Sequence, residues 1–154
     1  MPEPLKLKLE EITMGHVFFF LHMIGTLALG FYLVLPFILS GTAKLSSPAK
    51  EGTLSAIGGF NRFAQYGLVI QLLTGGYMMT KGEYSVPWMI IVTVLLLAMF
   101  AFGGIMTKPL RLAAAGMREN RDVSAETAKI RTMSLLLMVS LVVMIFFMVY
   151  NTII

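Results

Sequence analysis

His22 is the residue in this sequence best equipped to do chemistry. It lies within an uncharged run of 32 residues, positions 12 to 43. An ionisable side chain in the bilayer core is costly and marks a functional site by default. At about 3.6 residues per turn, the same helical face carries Gly15, Phe18, Gly25, Thr26, Leu29 and Pro36. Small residues beside a histidine leave room for a neighbouring helix or for the plane of a porphyrin. Two readings of His22 stand. One is a ligand to haem iron or to another metal. The other is a neutral imidazole hydrogen-bonded to Gln71, Thr74 or a carbonyl on another helix. His16 lies six residues earlier, about 240° around the helix and about 9 Å along its axis. The two histidines therefore cannot hold one metal from a single face. His16 reads as a polar residue near the outer interface, or as a second ligand offered elsewhere, for instance across a dimer interface.

Other candidate ligands are thioethers. The chain has 13 methionines and no cysteine, so thiolate nucleophiles, cysteine-ligated zinc and iron–sulfur clusters are excluded. Met14, His16, His22 and Met23, with Met78, Met79 and Met89, fall towards one half of the expected bundle. Thioether and imidazole together suit Cu(I), and Met also serves as a haem axial ligand. Met is otherwise a flexible apolar filler. Met99, Met106, Met133, Met138, Met144 and Met148 are expected to lie away from the histidines. Gly67, Gln71 and Gly75 recur at four-residue spacing, with Thr74 and Met78 alongside. Small residues so spaced let two helices approach closely, and Gln71 is positioned to orient an imidazole or a ligand.

The elements that must position these residues follow from charge. Hydrophobic residues make up 57% and charged residues 13% of the 154-residue chain, against roughly 25% charged in soluble domains. Mean hydropathy is +0.82. All the Lys, Arg, Asp and Glu residues fall outside four uncharged runs, positions 12–43, 63–80, 84–107 and 132–154. About 20 apolar residues span the hydrocarbon as a helix, which satisfies its own backbone. The expectation is an all-α integral membrane four-helix bundle forming a single domain over residues 1–154. Its transmembrane helices are expected at about 12–40, 60–80, 85–107 and 130–153, with loops at 41–59 and 108–129. The third and fourth helices are expected to reach beyond the bilayer and join near residues 119–123, with Ser124 as N-cap. Trp88 is expected at the outer interface. The Leu5-Leu7-Leu9 alternation suggests an interfacial segment or a frayed tail. Segments 44–62 and 108–131 carry the excess of basic residues, so both loops are expected in the cytoplasm and both termini outside. The net charge of +4 needs no nucleic acid to explain it.

The absences matter too. No lysine lies in an uncharged run, which argues against a retinal Schiff base. No Asp or Glu lies there either, which argues against carboxylate-driven transport and against an aspartyl membrane protease. There is no phosphate loop and no serine–histidine pair at a recognisable spacing.

The stretch Leu21-His22-Met23-Ile24, followed by Gly30-Phe31-Tyr32-Leu33-Val34-Leu35-Pro36, resembles the first helix of HemJ-type protoporphyrinogen oxidases. More loosely it is similar to CopD-type copper-resistance membrane proteins. Arg62 followed by Leu72-Leu73-Thr74-Gly75-Gly76 is similar to the second helix of the former family. The resemblance implies a small four-helix protein of the bacterial cytoplasmic membrane with His22 as haem ligand. The chain departs from the family where an arginine would follow Pro36, at Phe37-Ile38-Leu39, and where helix three would carry a lysine, within residues 92–98. Oxidation of a porphyrinogen is therefore not expected.

Three functions remain in view. The first is a haem b-binding membrane protein for electron transfer, haem handling or service to a respiratory complex, with His22 as axial ligand and His16, Gly25, Thr26, Gln71 and Gly75 around the cofactor. The second is a copper-handling protein using Met14, His16, His22 and Met23. The third is a ligand-free accessory subunit. Enzymatic activity is disfavoured, because no second titratable group lies within the membrane to act as acid or base. The lipid bilayer is the expected surrounding. A homo-oligomer or a membrane-protein partner would cover the glycine stripes.

Overall fold

The computed structural model describes residues 2–152. They form four helices in chain order: α1 (Glu3–Thr42), α2 (Ser47–Lys81), α3 (Val86–Arg118) and α4 (Ser124–Val149). Each helix packs on its chain neighbour, and α4 closes the ring against α1. Ion pairs at the two ends show the alternation of direction. Lys81 at the end of α2 meets Glu11 near the start of α1, and Arg118 at the end of α3 meets Glu51 near the start of α2. The chain therefore runs up, down, up, down, with both termini at one end.

The core lies along narrow stripes at three- and four-residue spacing. On α4 the stripe is Ile130, Ser134, Leu137, Leu141 and Met144. On α1 it runs Gly25, Ala28, Leu29, Tyr32, Leu35, Leu39 and Thr42. The outward faces are apolar as well: Leu27 is 79% exposed, Phe37 68% and Leu73 65%. A helix that is apolar all round suits lipid rather than water. Among the described residues, α1, α3 and α4 are each long and apolar enough to cross a membrane. The second helix is as long but more polar. It turns Asn61, Gln71 and Thr74 inward and leaves Phe60, Phe63 and Tyr66 outward.

The helices outrun the expected spans. The loop expected at 41–59 is reduced to residues 43–46, because α2 begins at Ser47 with Pro48 in its first turn, where a missing N–H costs nothing. Within segment 108–129, α3 continues to Arg118 and α4 begins at Ser124, so the two helices join at 119–123 as expected. The N-terminal segment is not a frayed tail, for α1 runs unbroken from Glu3. The fourth helix stops at Val149 rather than at residue 153, which lies outside the described residues. Charge marks where a span leaves lipid, not where helical hydrogen bonding ends. Pro36 and Pro109 sit inside α1 and α3. Each removes one backbone bond, which neighbouring helices in a bundle help to accommodate.

The α3–α4 turn forms as expected, but its cap differs. Asn120 takes a left-handed backbone, φ 52°, which Asn tolerates better than most residues. Val123 is the N-cap residue, and Asp122 accepts from both the Ser124 amide and the Ser124 hydroxyl, each at 3.0 Å. Ser124 is thus the first helical residue, and its hydroxyl is a donor rather than a cap acceptor. Trp88 is a second departure. It is buried, stacks on Tyr84 and donates its indole N–H to the Phe147 carbonyl at 2.7 Å. That carbonyl lies in the last turn of α4, where the helix supplies no donor. The indole therefore clamps α3 to α4 instead of facing headgroups.

A buried polar cluster ties the centre of the bundle. Tyr32 donates to Asn61 at 3.1 Å, and Asn61 donates to the Gly103 carbonyl at 3.0 Å. A side chain at Gly103 would meet the Tyr32 hydroxyl at 2.8 Å, so only glycine admits this junction of three helices.

Candidate functional site

The site is built where α1 and α2 touch most closely. A Cβ on Gly67 would lie 2.8 Å from that of Ala28, and one on Gly25 would lie 3.2 Å from the Gly67 carbonyl. These two glycines let the backbones meet, as the four-residue stripe that includes Gly67 suggests for α2. Level with the contact and one to two turns beyond it, towards the end carrying the termini, the helices present Thr26, His22, Gln71, Thr74 and Gly75.

Gln71 sews the two helices together. Its amide nitrogen donates to the His22 carbonyl at 2.7 Å and to the Thr26 hydroxyl at 2.8 Å. Thr26 donates in turn to the same His22 carbonyl at 2.9 Å. The backbone of His22 is thus held by α2 as well as by its own helix. Its ring is held independently. His22 Nδ1 lies 2.8 Å from the Thr74 hydroxyl, which itself donates to the Ile70 carbonyl at 2.6 Å. A hydroxyl has one proton, so Thr74 accepts from His22 Nδ1–H. Nε2 then keeps its lone pair, and it has no hydrogen-bond partner among the described residues. Gly75 supplies the space: a Cβ there would touch His22 Cε1 at 3.5 Å. Beyond Gly75, Phe18 stacks on Tyr77 with ring centroids 4.0 Å apart.

His22 lines a cavity of about 400 Å³ reached by all four helices. Met23, Thr26, Gln71 and Gly75 line it too, so five of the expected site residues converge there. Gly25 sits just behind, at the helix contact. Its remaining walls are mostly apolar, with Phe19, Val92, Leu96 and Leu141 among them, and no charged side chain lines it.

His16 does not join the cavity. It is exposed, and its Nδ1 donates to the Ile12 carbonyl one turn back at 2.8 Å. Met14 is exposed and also absent from the lining. The set Met14, His16, His22 and Met23 is therefore not gathered: Met14 lies about 12 Å from His22 along the helix axis, and His16 is turned to another face. Among the described residues no three His, Asp or Glu side chains come together.

Sequence reasoning missed part of the lining. Met144 and Met148, expected to lie away from the histidines, share the cavity with His22, Met23, Met78 and Met79. Their signal was present: Met144 and Met148 are one turn apart on α4, on or beside its buried stripe. It became legible only with the closure of α4 on α1. Thr93, the lone polar residue in the middle of α3, lines the cavity as well.

No family model matches this chain, and neither the curated proteins nor the solved structures give a match.

Proposed function

We propose that this chain is a haem b-binding protein of the bacterial cytoplasmic membrane, with His22 Nε2 as an axial ligand and a role in electron transfer or haem handling. The observation that carries this reading is the Thr74–His22 hydrogen bond. It leaves a neutral imidazole with its free nitrogen in a cavity among four helices. Metal-ligating histidines characteristically donate their other N–H in this way. The resemblance of residues 21–36 to a haem-binding family points the same way.

The residues present fit the group. The apolar walls suit a porphyrin, and methionines from three helices line the cavity and would offer thioether donors to its iron. A haem bound here would supply one-electron redox chemistry at the iron. The chain's own contribution is to fix the imidazole through Thr74, fix its backbone through Gln71, and keep water from the apolar walls. Since no charged side chain lines the cavity, its lining would offer no cation to the carboxylates of a bound haem. We orient the bundle with its basic end in the cytoplasm. The fold brings segments 44–62 and 108–131 to that end, with nine basic residues against four acidic.

One observation favours a second reading. Five methionines, Met23, Met78, Met79, Met144 and Met148, line the cavity with His22, a soft donor set suited to Cu(I). Parallel titrations of detergent-purified protein with hemin and with Cu(I) decide between the two. Saturable one-to-one hemin binding supports the first reading. Copper bound with no uptake of hemin supports the second, and uptake of neither excludes both.

A further inference from the structure

A second cavity, of about 750 Å³, lies at the opposite end of the bundle, between the end of α1, the start of α2 and the start of α4. We propose that it binds the phosphate headgroup of an anionic phospholipid. Lys50 and Arg131 line it, and neither pairs with a carboxylate among the described residues. The one acid in the lining is Asp122, whose two oxygens are both taken up by Ser124. The lining therefore carries two cations and one carboxylate, a net positive charge with neither cation in an ion pair among the described residues.

The hydroxyls around the cavity sharpen the inference. Ser40 donates to Phe37, Thr42 to Leu39, Thr127 to Val123, Thr132 to Ala128, and Ser124 to Asp122. Each hydroxyl proton is already committed. With these protons directed into the protein, the charged donors lining the cavity are Lys50 and Arg131.

Position selects lipid. Leu39 and Thr132 fall where the first and last uncharged runs meet the charged segments, so the cavity straddles the edge of the bilayer. Its inner wall includes Leu39 and Leu54, and the apolar outer faces of α1 and α4 continue from it, with Ile38 and Leu135 exposed. Basic pockets between membrane helices at this level recognise anionic headgroups. This site is independent of the haem reading.

The test is native mass spectrometry of delipidated, detergent-purified full-length protein titrated with dioleoyl phosphatidylglycerol or dioleoyl phosphatidylcholine. The expected result is preferential binding of phosphatidylglycerol. Lys50→Gln with Arg131→Gln should weaken it about thirtyfold, about fivefold per cation. Lys50→Arg with Arg131→Lys should retain it, which separates charge from misfolding. Lys108→Gln with Arg111→Gln removes the same charge away from the cavity and should leave the tight site intact. The proposal is overturned if both double neutralisations weaken binding equally, if neither does, or if phosphatidylcholine binds as well. Displacement of the lipid by millimolar inorganic phosphate would also overturn it, by making free phosphate the ligand.

Discussion

His22 on α1 donates its Nδ1 proton to Thr74 on α2, across 2.8 Å. Thr74 cannot return the bond, because its own proton goes to the Ile70 carbonyl. One hydroxyl thus sets both the tautomer and the orientation of the ring, from a residue 52 positions away in sequence.

The first prediction concerns that hydroxyl. Thr74→Val keeps the shape and removes the acceptor. It should weaken hemin affinity by about 10–100-fold while leaving the thermal unfolding of the apoprotein within about 1 kcal/mol of the parent. Thr74→Ser should restore affinity. Hemin titration followed by absorbance reads both. Unchanged affinity in Thr74→Val would show that ring orientation does not depend on this bond.

The α1–α2 contact gives the second. Gly67→Ala inserts a methyl 2.8 Å from the Ala28 Cβ. Overpacking of this kind costs about 1–3 kcal/mol. Gly59→Ala meets nothing within 4 Å and should be neutral, or stabilising by about 0.5–1 kcal/mol, since alanine favours a helix interior. Thermal unfolding in one detergent ranks the two. Equal stability would mean that the helices are not in close contact at Gly67.

A third prediction is a pH dependence outside the membrane. The Ser124 amide and then the Ser124 hydroxyl hold the Asp122 carboxyl below its ordinary value of 3.8. A lowered carboxyl contributes stability that is present above its unfolded value and is lost as pH falls through the folded one. The α3–α4 turn should therefore stay intact from neutral pH to about 4 and loosen only below 3.8. The Ser124 amide resonance should titrate with a midpoint below that value, and Asp122→Asn should abolish the titration. A midpoint above 3.8 would contradict the cap.

Much of this was legible in the sequence, for identifiable reasons. Four helices follow from four uncharged runs, since only a helix closes its own hydrogen bonds in lipid. His22, Thr26, Gln71 and Gly75 could be grouped because helical spacing assigns each to an inward face. Helix ends were legible only in part. The extension of α3 and α4 to a junction at 119–123 was expected, whereas the charged and glycine-bearing residues 47–59 hid the early start of α2. Trp88 looked like an interface anchor because nothing in its neighbourhood reveals that the Phe147 carbonyl needs a donor. Met144 and Met148 were missed because their place beside His22 depends on ring closure by a helix more than 100 residues away.

The fourth prediction concerns the lining methionines. If a thioether completes the coordination, replacing Met23, Met78, Met79, Met144 and Met148 one at a time by Leu should alter the bound spectrum at one position only. Volume is nearly conserved, so stability should change by less than about 1.5 kcal/mol. Five unaltered spectra would mean that these side chains only fill space.

The central claim is that His22 Nε2 is the ligand, and chemical rescue tests it most directly. The absorption spectrum of hemin-loaded His22→Gly should lose the band of the histidine-ligated parent, and added imidazole should restore it. A parental spectrum in His22→Gly without imidazole would contradict the account.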